Sequence, residues 1–210
     1  MSETRSAKAD AYENEAETET KSIVLVGVGG QGILLASEIL AQAAMLEGYD
    51  VKTNEVHGMA QRGGSVMAQI RYGKDVKSPL VARNGAHILG SLEKVEALRF
   101  SDYIRPEGLA VVSTQAIMPV TVSTNAASYP TDADAEDRLR RAFPRLVYID
   151  ATRIAADLGD IRAANIVILG AISNDLDLPP AAWEKAISLS VKEKFLEANR
   201  RAFAAGRDYR

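Results

Sequence analysis

The sequence predicts an α/β protein: a single Rossmann-like, doubly wound, mostly parallel sheet with a helical C-terminal region. Short apolar runs alternate with helical segments along most of the chain, which is typical of a parallel sheet covered by helices on both faces. The first apolar run, 22–28, leads into the sequence GVGGQG at 27–32, a glycine turn of the kind that joins a strand to a helix. From 152 onwards the pattern is almost entirely helical.

Length and composition predict one folded domain. A chain of 210 residues, of which 47% are hydrophobic, buries about 70% of the surface that its unfolded form exposes. We place the domain at 22–210. Residues 1–21 contain no Leu, Ile, Val or Phe and more acidic than basic side chains, so they are predicted to be a disordered acidic tail.

The predicted strands follow from apolar runs and alternation. The run at 22–28 is continuously apolar, as expected of a central strand covered on both faces. The third strand shows a period of two. The predicted strands are 22–28, 49–56, 66–72, 86–90, 109–113 and 146–150.

The predicted helices are bounded by capping residues. Gly48 and Gly206 follow helical segments and are expected to end them. Thr131 precedes two aspartates, which is typical of a helix start, and Pro180 is suited to a first turn. The predicted helices are 33–47, 92–104, one starting after Thr131, 152–158, 164–173, 181–190 and 191–205.

Charge and composition exclude several classes of function. The 25 basic and 28 acidic residues give a net charge of −3, so no field favours nucleic acid or an anionic membrane. The absence of cysteine excludes disulfides, thiolate zinc sites, a cysteine nucleophile and iron–sulfur clusters held by this chain. Without a long apolar run or an apolar signal core, the protein is predicted to be cytoplasmic and not bound to a membrane.

The motif at 27–32 is the first candidate binding site. Gly27 permits the turn, Gly29 lets a pyrophosphate approach the backbone, and Gly32 lets the helix pack on the strand. The N-terminus of the following helix adds N–H donors and the positive end of a dipole. The alternative is a glycine turn that serves only close packing.

A second candidate is the sequence QRGGS at 61–65. Arg62 offers a fork of donors for a phosphate or carboxylate, and the two glycines let the backbone approach a ligand. A loop after the second strand lies at the carboxyl ends of the strands, as the first glycine loop does, so both could contact one anionic ligand. The alternative is a solvated turn.

Few other residues could carry chemistry. His87 begins an apolar strand and is interpreted as structural, whereas His57 lies in the polar glycine-rich loop, where its neighbours offer no complete set of metal ligands. Asn165 alone indicates only a helix cap or first-turn residue. No set of nucleophile, base and orienting group is present, so no catalytic residue and no metal ligand are predicted.

Four motifs in order resemble one known family. They are GVGGQGI from 27, QRGG from 61, ANIVILGA from 164 and NRRAFAAG from 199. Together they resemble the gamma-type domain of 2-oxoacid:ferredoxin oxidoreductases, from about residue 22 to the C-terminus. The segment NEVHGMAQRGG at 54–64 most resembles the beta subunit of indolepyruvate:ferredoxin oxidoreductase.

The resemblance implies a subunit of an enzyme that converts a 2-oxoacid such as indolepyruvate into acyl-CoA, CO₂ and a reduced acceptor. A large alpha subunit would carry thiamine diphosphate, Mg²⁺ and [4Fe–4S] clusters and pass electrons to ferredoxin or another acceptor. This chain would be inactive alone. The resemblance further implies contact with coenzyme A at Gly27, Gly29, Gly30, Gln31, Gly32, Arg62 and Asn165.

Two alternatives remain open at this point. A stand-alone NAD(P)-binding oxidoreductase needs an acid at the end of the second strand to bind the ribose, and Glu55 fits this loosely. The length leaves no room for a separate substrate domain, which disfavours that reading. A purely structural subunit would keep the fold without a ligand in the crevice.

Overall fold

A computed structural model describes residues 19–58, 63–118 and 129–209. One sheet contains β1 (Lys21–Val28), β2 (Asp50–His57), β3 (Ser65–Gly73), β4 (Ala86–Ser91), β5 (Ile104–Ser113) and β6 (Arg145–Ile149), in the order β2-β3-β1-β4-β5-β6. β3 is antiparallel to both of its neighbours, and the other strands share one direction. The predicted α/β class with a mostly parallel sheet is confirmed.

Helices cover both faces of this sheet. They are α1 (Ile33–Leu46), α2 (Lys94–Arg99), α3 (Asp132–Ala142), α4 (Ala151–Asp157), α5 (Ala164–Ser173), α6 (Pro180–Ser190) and α7 (Glu193–Asp208). Short 3₁₀ turns occupy Ser101–Tyr103 and Ile161–Ala163. The predicted helical C-terminal region is present. Within the described ranges, no helix combines the length and apolar character needed to cross a bilayer.

The core consists of two clusters, one on each face. Alternate residues of β1 point to opposite clusters: Ile23 and Leu25 pack with α1, α5, α6 and α7, whereas Val24 and Val26 pack with α2 and α3. α5 is buried along nearly its whole length, as expected of a helix that is apolar all round. The sheet therefore lies between the two clusters, and its carboxyl edge carries the loops.

The segment predicted as one helix over 92–104 divides into three elements. The Glu93 carboxylate accepts hydrogen bonds from the N–H groups of Val95 and Glu96 and starts α2 there. α2 ends at Arg99, a 3₁₀ turn follows, and Ile104 already pairs with Ala86 as the start of β5. The prediction of a continuous helix is wrong because strand pairing overrides the helical spacing of the apolar residues.

The predicted helix end at Gly206 is also wrong, because α7 continues to Asp208. A Cβ atom at Gly206 would lie 2.0 Å from the carbonyl oxygen of Val167, and one at Gly170 would lie 2.1 Å from that of Phe203. These glycines let the backbones of α5 and α7 touch where the helices cross. Gly206 is therefore a packing residue inside the helix and not a cap.

Other predicted boundaries agree closely with the structure. The Thr131 hydroxyl accepts a hydrogen bond from the N–H of Asp134 at 3.2 Å and starts α3. Gly48, with a φ of +80°, follows α1, and Pro180 is the first residue of α6. β1 begins at Lys21, one residue before the predicted domain start. For residues 1–18 the predicted tail stays a prediction, since they lie outside the described residues.

Candidate functional site

The first glycine loop connects β1 to α1 with two residues in the left-handed region. Gly30 has a φ of +103° and Gly32 a φ of +78°, conformations that other residues adopt only with strain. No atom lies within 4 Å of the position where a Cβ of Gly30 would be. The backbone at Gly30 is therefore open to an incoming group.

The Gln31 side chain ties the strand ends together. Its Oε1 accepts a hydrogen bond from the N–H of Val28 at 2.7 Å, and its Nε2 donates to the carbonyl of Leu92 at 2.7 Å and to the side chain of Gln115 at 3.0 Å. A Cβ at Gly27 would lie 2.7 Å from Gln31 Oε1. Gly27 therefore makes room for the Gln31 amide, which links the loops after β1, β4 and β5.

The described part of the second glycine loop (QRGGS, 61–65), residues 63–65, lies against the first loop. The N–H of Gly29 donates to the carbonyl of Gly64 at 2.8 Å, and the N–H of Gly58 donates to that of Ser65 at 3.0 Å. Both loops therefore lie at the carboxyl edge of the sheet, where ligands bind in folds of this class. Residues 59–62, which include Arg62, lie outside the described residues.

Asn165 contacts the glycine loop from α5. Its Nδ2 donates to the carbonyl of Gly32 at 2.9 Å, and its Oδ1 accepts from the N–H of Ile166 at 3.0 Å. The side chain is buried, and a Cβ at Gly32 would lie 2.5 Å from its Nδ2. Asn165 is thus a first-turn residue, and it also fixes the start of α1.

A cleft of about 910 Å³ opens over the first loop. We call it the glycine cleft; it is lined by Val28, Gly29, Gly30, Gly32, Ile33, Leu34, Leu35, His57, Gly58 and Val66. The N-terminus of α1 faces this cleft without a side-chain cap and without an acidic residue in its first turn. The first N–H groups of a helix have no acceptor within the helix and favour an anion. The glycine cleft is therefore suited to a phosphate group.

The histidines occupy different environments. His87 is buried; its Nδ1 accepts from the N–H of Ser22 at 3.1 Å, and its Nε2 lies 3.0 Å from the Glu19 carboxylate. Burial outweighs that carboxylate and holds the pKa of His87 below its usual value. His87 is structural, as interpreted from the sequence. His57 lies on the rim of the cleft, 3.9 Å from the Glu55 carboxylate.

The position of Glu55 disfavours a dinucleotide site. β3 separates β2 from β1, so Glu55 lies two strand spacings, roughly 10 Å, from β1. Through Ala68 it is level with Leu25, before the glycine loop begins. A ribose-binding acid lies at the end of a strand next to the glycine loop. Among the described residues, no three His, Asp or Glu side chains are grouped to hold a metal ion.

A buried acidic cluster on the other face of the sheet was not found from the sequence. The Glu93 carboxylate accepts hydrogen bonds from the N–H groups of Val95 and Ile117 and from the Tyr129 hydroxyl. Burial first, and then this carboxylate, raise the pKa of Tyr129. Glu96 accepts a hydrogen bond from Ser65. Acidic residues at the start of a helix usually indicate an exposed first turn, so the sequence carries no signal for their burial.

Comparisons with known proteins give consistent matches. The family described as pyruvate ferredoxin/flavodoxin oxidoreductase matches residues 22–209. The indolepyruvate oxidoreductase subunit IorB of Archaeoglobus fulgidus is 39% identical over 187 residues, which cover 88% of this chain and 92% of the relative.

Two solved structures share the fold. The gamma subunit of a keto/oxoacid ferredoxin oxidoreductase from Geobacter sulfurreducens has a TM-score of 0.65 and 24% identity, covering 89% of this chain and 95% of that one. A 2-oxoglutarate:ferredoxin oxidoreductase from Magnetococcus marinus, with 2-oxoglutarate, coenzyme A and succinyl-CoA bound, has a TM-score of 0.67 and 20% identity. The match covers 91% of this chain and 31% of that longer chain.

Proposed function

Because the chain belongs to the pyruvate ferredoxin/flavodoxin oxidoreductase family, we propose that it is the small subunit of a 2-oxoacid:ferredoxin oxidoreductase of the indolepyruvate type. The family resemblance seen in the four sequence motifs is confirmed. The observation that carries the substrate class is the 39% identity to indolepyruvate oxidoreductase subunits over nearly their whole length. The substrate is an arylpyruvate, and the products are an acyl-CoA, CO₂ and a reduced acceptor.

A large partner subunit completes the enzyme. The chain contains no cysteine, so cluster ligands of the usual thiolate type come from another chain. The partner carries thiamine diphosphate, Mg²⁺ and [4Fe–4S] clusters, which supply decarboxylation and electron transfer to ferredoxin or another acceptor in the cytoplasm. The small subunit contributes a binding surface to this complex and has no turnover alone.

The chemistry of the glycine cleft suits coenzyme A. When bound, it supplies the thiol that accepts the acyl group. Gly30 and Gly32 and the first turn of α1 offer backbone to its phosphates, and no acidic side chain in that turn opposes them. Arg62, which precedes Gly63 in the second loop, adds a guanidinium that binds a phosphate through two parallel hydrogen bonds.

The remaining site residues hold the loop in shape. Gly29 uses its N–H to bind the second loop at Gly64. Gly27 and Gln31 join the loop to neighbouring strand ends. Asn165 fixes the carbonyl of Gly32. These residues orient the N–H groups of the α1 N-terminus toward the ligand, so their contribution is preorganisation.

Reconstitution tests the proposed function. The chain is co-expressed with its large subunit, and the complex is assayed with indolepyruvate, coenzyme A and a dye acceptor. We expect acyl-CoA formation by the complex and none by either chain alone. Turnover by the isolated small subunit, or full acyl-CoA formation by the large subunit without it, would contradict the proposal.

A further inference from the structure

A buried carboxylate lies directly beneath the second glycine loop. Glu96 in α2 is 6% exposed. Its Oε2 accepts a hydrogen bond from the Ser65 hydroxyl at 2.5 Å, and its Oε1 lies 3.2 Å from Nη1 of Arg99. A cavity of about 220 Å³ separates α2 from this loop and is lined in part by Gly63, Gly64 and Glu96. α2 contributes to the lining of this cavity, whereas α1 contributes to the lining of the glycine cleft.

Ser65 connects this carboxylate to the cleft. It is the first residue of β3 and pairs with Val28, the last residue of β1. Gly64, next to it, accepts the hydrogen bond from the N–H of Gly29, and the Ser65 carbonyl accepts that of Gly58. A shift of Ser65 therefore moves both the second loop and the N–H of Gly29.

The stability of the fold does not require a carboxylate at the position of Glu96. Burial raises the pKa of Glu96 against the opposing effects of Ser65 and Arg99, because a buried site disfavours the charged form. Arg99 is about half exposed, so its ion pair is screened by solvent. An apolar residue in a buried site of this kind often gives a fold of equal or greater stability. What an apolar side chain lacks is an acceptor for Ser65.

We propose that Glu96 is a positioning residue that holds residues 63–65 against the first glycine loop through the Ser65 hydroxyl and thereby sets the affinity of the glycine cleft for its phosphate-bearing ligand. This inference rests on the proposed function, in which that ligand is coenzyme A. Glu96 itself touches no ligand. Its effect is transmitted through Ser65 and Gly64 to Gly29.

The test is a double-mutant cycle in the complex with the large subunit. Glu96→Ala and Ser65→Ala should each raise the KM for coenzyme A about 3- to 10-fold, the range that the loss of one hydrogen bond gives, with kcat unchanged. The double variant should be no worse than either single one, because both substitutions remove the same contact. Glu96→Gln keeps an acceptor oxygen and should stay close to the wild type. Arg99→Ala leaves the Ser65 contact in place and should change the KM less than twofold.

Hydrogen exchange of the same complexes supplies a readout independent of turnover. The amides of 63–65 should exchange faster in Glu96→Ala and Ser65→Ala than in Glu96→Gln. An unchanged KM in both alanine variants would overturn the inference, and so would a Glu96→Gln variant as impaired as Glu96→Ala. If Glu96→Ala does not fold, the two single variants Ser65→Ala and Glu96→Gln still test the inference, because only Ser65→Ala should raise the KM for coenzyme A.

A cleft variant separates this inference from the proposed function. Gly32→Ala alters the loop that faces the ligand directly. If Gly32→Ala raises the KM for coenzyme A while the Ser65 and Glu96 variants do not, only the role of Glu96 is wrong. If none of the three substitutions changes the KM, coenzyme A does not bind at this cleft.

Discussion

The glycine loop at 29–32 and the crossing of α5 with α7 both depend on glycine, for opposite reasons. At Gly30, nothing lies within 4 Å of the place where a Cβ would be. At Gly170 and Gly206, that place is already filled by backbone of the other helix, at 2.1 and 2.0 Å. In the loop the missing side chain leaves backbone accessible, whereas at the crossing it lets two backbones touch.

Glycine in the loop therefore serves ligand binding, whereas glycine at the crossing serves the packing of the fold. A methyl group added at Gly30 mainly obstructs a ligand and strains one φ angle. A methyl group added at the crossing must push two helices of the core apart. The expected effects of substitutions in the two regions therefore differ in kind as well as in size.

Substitution at the crossing should give the largest effect on stability. Gly206→Ala or Gly170→Ala places a Cβ 2.0 or 2.1 Å from a carbonyl oxygen of the facing helix, far inside van der Waals contact. Overpacking of this kind costs roughly 3 kcal/mol, which corresponds to a fall in Tm of about 6–12 °C for a chain of this length. Thermal unfolding followed by circular dichroism measures it.

Ala204→Ser is the matched control for the crossing, because Ala204 lies on an exposed position of the same helix. It should leave the Tm within about 2 °C of the wild type. A Gly206→Ala protein as stable as this control would show that the two helices separate at little cost, and the contrast between the regions would be lost.

Arg62→Ala should give the largest effect on ligand binding with little effect on stability. Charge-assisted hydrogen bonds are worth roughly 1.5–3 kcal/mol, so the KM for coenzyme A should rise about 10- to 150-fold. Arg62→Lys should recover part of the loss, since it keeps the charge and loses the fork. Steady-state kinetics of the complex, with the coenzyme A concentration varied, measures this. An unchanged KM would indicate that the second loop is a solvated turn that does not bind the ligand.

Asn165→Ala should affect both stability and binding, because Asn165 belongs to α5 and contacts the loop. Its loss removes the bond to the Gly32 carbonyl, which keeps only the N–H of Ala36 as a donor, and the bond from the N–H of Ile166. Two hydrogen bonds together cost about 1–3 kcal/mol. Asn165→Asp keeps the contact with the N–H of Ile166 but sets a carboxylate oxygen against the Gly32 carbonyl. Both variants should lower the Tm and raise the KM for coenzyme A. Normal KM values in both would restrict Asn165 to its role in the helix.

Gly30→Ala should cost less stability than the substitutions at the crossing. Its φ of +103° strains an alanine by about 1–2 kcal/mol, but no neighbour is displaced. Gly48→Ala is the matched control, since Gly48 has a φ of +80°, equally open surroundings and no place in the cleft. The two variants should lose similar stability in thermal unfolding, while only Gly30→Ala raises the KM for coenzyme A.

The sequence predicts the sheet and both glycine loops because their signals are local. Apolar runs and alternation locate the six strands of the described residues, although β5 begins at Ile104 and not at the predicted 109. Thr131 and Gly48 mark helix boundaries where expected. The role of Gly206 is not local: a glycine near a predicted helix end indicates a cap, and only the crossing with Gly170 reveals a packing contact.

In the candidate site, too, only features with a local sequence signal can be predicted. The convergence of the two loops follows from strand direction, which alternation along the chain predicts. The bond from Asn165 to Gly32 spans 133 residues, and the bond from Ser65 to Glu96 joins a strand to a helix on one face of the sheet. Such pairs depend on the packed structure, so no pattern in the chain identifies them.

Hydrogen exchange of the complex with and without coenzyme A tests the central claim, that the open glycine region is the ligand site and the packed one is not. We predict that coenzyme A slows exchange at 29–35 and 63–65 and leaves the crossing, 167–173 with 199–206, unchanged. Unaltered exchange at 29–35 in a complex that forms acyl-CoA would contradict the account.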